Sequence, residues 1–302
     1  MTEKVTVGLC LKHSGKIVQT ALDSISKQDY PHEAIKLIIV DEDENGSSKN
    51  CLTFFARNTD IKTTIFFVEN KGLGASRQMV IDNAIGDYVV WVDDDFVLNT
   101  DFISQHVAFM ERNPLIGAAR AEELRLSAKT SVSLFETYLQ ILNKGNSSVT
   151  ANMGGLEIFR LEAIKKVGGF DLKIKGAAED RDISIRLINA GWQLSRNNKA
   201  KYHRKYPPAT WNALWRKQFW YGYGNHFLYH KYQNRAFRWE FFFPIAFYIG
   251  FRDSLKIYKI NHEKKVFFLG SYYLFRNFAN FIGFFRADLD GYGHHMNMNC
   301  LK

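Results

Sequence analysis

Cysteine is nearly absent: the 302 residues carry three, Cys10, Cys51 and Cys300. They lie far apart and share no paired spacing. That argues against a disulfide framework and a cysteine-based metal site, and it fits a reducing compartment. A charged head followed by a long apolar core is also missing. Met1-Thr2-Glu3-Lys4 runs straight into a strand-like stretch, so no secretory leader is expected. Neither a P-loop nor a full dinucleotide fingerprint is present, which argues against ATPase and dehydrogenase chemistry. Acids are scarce late in the chain: after residue 198 there are 17 Lys+Arg against 5 Asp+Glu, in a protein of net charge +9. Of the 45 Phe, Trp and Tyr, 30 lie in that same stretch. This asymmetry predicts two functional parts, the second suited to an anionic membrane surface or a nucleic acid.

What is present reads as a globular α/β protein. Apolar runs at Val5–Leu11, Ile35–Val40, Thr63–Glu69 and Tyr88–Asp95 have the length and branched or aromatic content of buried strands. Helical spacing appears at about 16–28, 74–84, 102–111, 131–142, 160–167 and 180–190. Further strands are expected over 116–124 and 151–159, the latter containing Gly154-Gly155. Alternating strands and helices imply a mainly parallel sheet covered by helices. In open sheets of that class, ligands sit beyond the carboxyl ends of the strands. Three such ends carry polar clusters: Lys12-His13, Asp41-Glu42-Asp43-Glu44 and Asp93-Asp94-Asp95.

The last cluster carries the most chemistry. Three adjacent carboxylates repel one another, so a divalent cation with oxygen ligands is one reading and a solvated turn the other. Gly176-Ala177-Ala178-Glu179-Asp180-Arg181-Asp182 sets acids at a helix start. There they stabilise the helix dipole, or one faces the crevice and takes a proton from an attacking hydroxyl. Asn70-Lys71-Gly72-Leu73-Gly74-Ala75-Ser76-Arg77 is a glycine-bearing loop before a helix, able to bring backbone N–H groups and Arg77 near a phosphate. His203 matters only if it reaches the Asp triplet as a third protein ligand.

Taken in order, Asp41, Asn70-x-Gly-x-Gly-x-x-Arg77, Gly86-Asp87-Tyr88 before Asp93-Asp94-Asp95, Gly154-Gly155 with Phe159-Arg160, Val167-Gly168-Gly169-Phe170-Asp171, Glu179-Asp180, Arg186-Leu187, Ala190-Gly191-Trp192 and His203 resemble the family 2 glycosyltransferases of GT-A fold. The resemblance covers roughly residues 4 to 225. It implies a Rossmann-like catalytic domain over 1–205, a helical extension over 206–302, a nucleotide-sugar donor, and Mg or Mn. Asp93 and Asp95 match the family's Asp-x-Asp for metal and diphosphate, with Asp94 between them on the donor side, and His203 matches the frequent third ligand. Lys12 and Asp41 would frame the nucleobase, and Asn70, Gly72 and Arg77 would line the donor. Asp180 matches the catalytic base and Glu179 the acceptor side, with inversion at the anomeric carbon. The chain departs from the family pattern at Leu11-Lys12-His13-Ser14, which lacks the Pro and Tyr-Asn pair, and at Asp41-Glu42-Asp43-Glu44-Asn45-Gly46-Ser47, where Asp-Asp-Gly-Ser is usual. The Gln-x-x-Arg-Trp of processive synthases is absent; Tyr221-Gly222-Tyr223-Gly224 resembles non-processive members and implies one sugar per encounter.

Beyond His203, helices are expected over 211–231, around 237–251 and over 266–285. Arg276, Asn277 and Asn280 interrupt the last run, so it reads as an interfacial helix, with a spanning segment or packing in a homo-oligomer as alternatives. A lipid-linked or glycan acceptor at the cytoplasmic membrane face follows from tail and family together. The competing functions are nucleotidyl transfer or sugar-nucleotide hydrolysis in the same crevice, and a non-enzymatic nucleic-acid-binding protein using the basic half. An acidic crevice disfavours the last, so no nucleic-acid partner is expected.

Overall fold

The computed structural model describes residues 4–12, 15–43, 45–69, 72–124, 130–143, 157–174, 177–205, 210–233 and 243–292. In chain order they form β1 (Val5–Leu11), α1 (Val18–Ile25), β2 (Ile35–Asp41), α2 (Lys49–Asn58), β3 (Lys62–Phe67), α3 (Leu73–Asn83), β4 (Tyr88–Val92), β5 (Phe96–Leu98), α4 (Phe102–Arg112) and β6 (Ile116–Glu123). There follow α5 (Ser131–Asn143), β7 (Ile158–Arg160), α6 (Leu161–Lys166), α7 (Glu179–Asn189), β8 (Gln193–Arg204), α8 (Trp211–Tyr232), α9 (Phe243–Asn261) and α10 (Leu269–Leu289). Two compact units result. One comprises Met1–Leu124, Ser147–Lys175 and Glu179–Lys205; the other comprises Arg125–Asn146, Gly176–Ala178 and Tyr206–Lys302.

The first unit is built on an eight-stranded sheet of order β3-β2-β1-β4-β7-β6-β8-β5. Strands β3, β2, β1 and β4 are parallel. Beyond β4 the sheet is mixed: β7 runs antiparallel to β4 and β6, β8 parallel to β6, and β5 antiparallel to β8. The parallel pairing expected of the sheet thus holds throughout its first half and between β6 and β8. Both faces are covered at β1, β2 and β4, which is why those strands read as continuous apolar runs, whereas the edge strand β3 is only half-buried. Val5, Val7, Leu9 and Leu11 alternate onto one face with Tyr88, Val90 and Val92, against α1 and α4. Ile38, Val40, Val89 and Trp91 point to the other, against α3, α6 and α7. Strand β4 stops at Val92, so the three Asp residues occupy the turn into β5 rather than the strand itself. Helix α2 and strands β5 and β8 are additions to the sequence reading. Asn70, Gly154 and Gly155 lie outside the described residues.

The second unit is helical. Its core gathers Val132, Phe135 and Tyr138 of α5 with Leu214, Ile257, Val266, Leu269 and Tyr272. Helices α8 and α10 meet at backbone distance. A Cβ on Gly222 would lie 1.8 Å from the Asn280 carbonyl oxygen, and one on Gly283 would lie 1.9 Å from that of Phe219. The Tyr-Gly-x-Gly stretch is thus a close-packing device here. Gly283→Ala is expected to destabilise by about 1–3 kcal/mol through overpacking, read as a fall in Tm. Among the described residues no helix is long and apolar enough to cross a membrane.

Candidate active site

The C-terminal edge of the parallel strands collects the polar residues. Register pairs Leu11 with Asp41 and Leu9 with Val92, so Lys12, Asp41 and Asp93 emerge along one edge. Lys12 is exposed just past β1. Asp41 is buried, and its carboxylate orders its own loop: Oδ1 accepts from the Asp43 N–H at 3.0 Å and Oδ2 from the Ser48 hydroxyl at 2.6 Å. Ser76 at the start of α3 donates to the buried Glu42 carboxylate, tying this loop to the glycine-bearing one. Gly72 caps α3 at φ +94°, a backbone state that favours glycine.

Arg77 extends from α3 into the same region. Its guanidinium donates to Glu179 Oε1 at 2.9 Å and lies 5.5 Å from the Trp91 ring centroid and 5.8 Å from that of Phe170. Gly74 lets α3 lie close to the 171–174 backbone: a Cβ there would meet the Ile174 carbonyl oxygen at 3.3 Å. Burial pushes the Glu179 carboxyl up to about 7; Arg77 opposes the shift, while Asp180 and Asp93 add to it. Asp93 and Asp180 thus act electrostatically on the Arg77–Glu179 pair. The two acids differ in access. Glu179 is buried in its ion pair; Asp180 is half-buried, its Oδ1 accepting from the Arg181 N–H at 2.8 Å.

At the triplet, sequence reasoning missed the main partner. Arg204, at the end of β8, donates to Asp95 Oδ1 at 2.7 Å and to Asp93 Oδ2 at 3.0 Å, with its guanidinium 4.5 Å from the Phe96 ring centroid. The neighbouring His203 pairs across the ladder with Val97 and does not close with Asp93 and Asp95 into a three-ligand cluster. Burial raises the Asp95 pKa; Arg204 opposes the shift, and Asp93 and Asp94 add to it. Carboxylate oxygens are the donors that Mg and Mn prefer. Arg204 takes one oxygen of Asp93 and one of Asp95, which leaves the second oxygen of each for a cation, so the donor set fits such an ion.

Glu157 is the second residue the sequence did not single out. It sits buried just before β7, accepting from the Ala121 N–H at 2.8 Å and from the Tyr202 hydroxyl at 3.3 Å. Tyr202 stacks on Phe96, 4.1 Å between ring centroids, under Arg204. Burial raises Glu157 to about 7. The folded carboxyl then holds its proton more tightly than the unfolded one, so stability falls as pH rises from about 4.5 through about 7. Glu157→Gln is expected to be neutral near pH 5 and to stabilise by up to about 3 kcal/mol near pH 8, measured by urea denaturation at both values.

Fold and site together define a GT-A architecture. A family-wide sequence profile described as Glycosyl transferase family 2 matches residues 6–168, and a second, Glycosyl transferase family group 2, matches residues 88–276. The chain belongs to glycosyl transferase family 2. It is 20% identical over 198 residues to the poly(ribitol-phosphate) beta-N-acetylglucosaminyltransferase TarS of Staphylococcus aureus, covering 63% of this chain and 34% of that one. It is 22% identical over 233 residues to the poly-beta-1,6-N-acetyl-D-glucosamine synthase of Staphylococcus epidermidis, covering 74% and 55%. The chain thus spans about a third to a half of the length of these curated relatives. Among solved structures, the mannosyltransferase PcManGT of Pyrobaculum calidifontis, in complex with GDP-Man and Mn2+, superposes with a TM-score of 0.59 at 16% identity, over 93% of this chain and 74% of that one. S. aureus TarS 1-349 in complex with UDP-GlcNAc gives 0.52 at 14% identity, over 94% and 92%.

Proposed function

We propose that the protein transfers one sugar from a nucleotide-sugar donor to a hydroxyl acceptor, with inversion and with the help of Mg or Mn. The observation that carries this reading is the gathering of Asp93, Asp95, Arg77, Glu179 and Asp180 near the C-terminal edge of one sheet, within the stretches that the two family profiles match between them. Asp93 and Asp95 would hold the cation, with Asp94 beside them. A divalent cation there neutralises the charge that builds on the departing diphosphate. Arg204 already lies on the same carboxylates and offers a fork of donors for phosphate oxygens. Gly72 at the start of α3, together with the motif residue Asn70, would serve the donor, and the Asp41 loop with Lys12 would frame the base. Asp180 takes the acceptor hydroxyl's proton. Glu179, held by Arg77, shapes the acceptor side.

The test is a screen of sugar nucleotides, including UDP-GlcNAc, UDP-glucose and GDP-mannose, with and without Mg or Mn. The expected result is thermal stabilisation by one donor only with metal, and a new glycoside with an acceptor. Free sugar or released diphosphate without a glycoside would support hydrolysis or nucleotidyl transfer instead.

The acceptor we propose is a glycan or lipid-linked chain met at a membrane surface. Supporting it are the exposed Phe247, Tyr248, Phe251, Phe267, Phe268 and Phe285 of the basic helical unit. An apolar cavity of about 780 Å³ in that unit is lined by Leu134, Phe135, Trp211, Tyr272 and Phe275, with Lys265 beside them. Aromatic and cationic side chains together suit an interface carrying anionic headgroups. The protein is expected to co-sediment with anionic vesicles and to be released by salt. Sedimentation with nucleic acid but not with vesicles would overturn the membrane assignment.

A further inference from the structure

The helical unit holds a second cluster of chemistry-bearing side chains. Helix α8 carries His226 and His230 four residues apart, so both rings leave one face of the helix. Asp288 reaches them from the last turn of α10. One nitrogen or oxygen from each of the three side chains falls within 4.8 Å of the others. His226 Nε2 lies 3.1 Å from Asp288 Oδ1 and 3.1 Å from His230 Nε2. On its other side, His226 Nδ1 lies 2.5 Å from the Tyr292 carbonyl oxygen.

These contacts set the protonation of the buried ring. A carbonyl oxygen only accepts, so the proton sits on Nδ1. In the neutral imidazole, Nε2 is then a lone pair, and it faces a carboxylate oxygen and a second imidazole nitrogen. A proton on His230 Nε2 resolves one of the two approaches and leaves the other repulsive. A second proton, on His226 Nε2, or a cation between the three atoms resolves both.

We propose that His226 Nε2, His230 Nε2 and Asp288 Oδ1 bind a transition-metal dication of the zinc type. Metal bonds of about 2.0–2.1 Å to tetrahedrally placed ligands set those ligands about 3.3 Å apart, close to the spacing seen. The Tyr292 carbonyl is the outer partner that fixes the ring's tautomer and aim. Asp288 is 49% exposed at its side chain, so water has access to a fourth position. Two imidazoles and one carboxylate make a softer set than the carboxylates at Asp93 to Asp95, and they select zinc over Mg or Mn. The ion pins the end of α10 to α8, beyond the close contacts at Gly222 and Gly283.

The experiment uses the full chain, stripped of metal and titrated with zinc against a chromophoric chelator, and with cobalt followed by its visible absorption. One tight equivalent is expected in the wild type and in Asp93→Asn. His230→Gln and Asp288→Asn are expected to weaken it by about 100-fold or more, beyond the loss typical of an outer partner, and to abolish the tetrahedral cobalt bands. Both positions are at least partly exposed, and circular dichroism confirms that each variant folds; His226 is left intact because it is buried. Retention of the tight equivalent in both variants would overturn the proposal. So would the absence of a tight equivalent in the wild type, with nitrogen-detected NMR showing His226 protonated on both nitrogens.

Discussion

Asp180→Asn is expected to lower kcat by about 100- to 10,000-fold while leaving donor binding intact, the range typical of losing a positioned general base. Sugar transfer with inversion needs a carboxylate on the face opposite the departing diphosphate, as an inverting glycosidase needs one to activate water. Two acids stand at the start of α7, and the structure separates them. Glu179 is buried, bonded to Arg77 and shifted up to about 7, first by burial. Asp180 is half-buried, and so is the one a substrate hydroxyl can approach. Asparagine keeps the shape and the acceptor oxygen for the Arg181 N–H but cannot take a proton. Calorimetry with donor and metal reports binding, and product formation under saturating donor reports kcat. Unchanged turnover in Asp180→Asn would remove it from the proton path. Collapse of donor affinity along with turnover would mean that the residue organises the donor side.

How much of this was legible in the sequence depended on burial. Strands β1, β2 and β4 were readable because a doubly covered sheet demands unbroken apolar runs. The Asp triplet was readable because adjacent charges call for compensation. Strand β8 was not. Gln193–Arg204 is largely polar, and its buried positions include Asn197 and Ala200, so no period-2 apolar signal survives. Register shifts in its pairing with β6 break the alternation further. Because β8 was missed, Arg204 was missed as the partner of Asp93 and Asp95. Helix α2 escaped for a related reason: Lys49–Asn58 buries only Leu52 and Phe55 and has no side-chain cap. Glu157 left no trace, since a single buried acid in an apolar stretch reads as an exposed one until its neighbours are known.

Arg77→Ala is expected to cost about 3–5 kcal/mol near pH 8, the price of leaving a buried charge without its partner. The guanidinium lies within cation–π distance of the Trp91 and Phe170 rings and meets Glu179 at 2.9 Å, with side-chain exposures of 15% and 6% for the pair. Removing it strips away the positive charge that holds the Glu179 carboxyl down against burial and against Asp180 and Asp93. In the variant, Glu179 therefore protonates at still higher pH. The sign follows: a folded-state carboxyl raised above its unfolded value makes stability fall as pH rises through the gap. The loss should be smaller near pH 5, where Glu179 is protonated, and should grow through neutrality. Urea denaturation of the wild type and variant at both pH values measures this. The double variant Arg77→Ala with Glu179→Gln separates charge from packing, because removing both partners of a buried pair is far less costly than removing one. A pH-independent loss that Glu179→Gln fails to relieve would assign the effect to the vacated space beside Trp91 and Phe170, and Arg77 would then be a packing residue whose charge plays no part in holding α7 to the site.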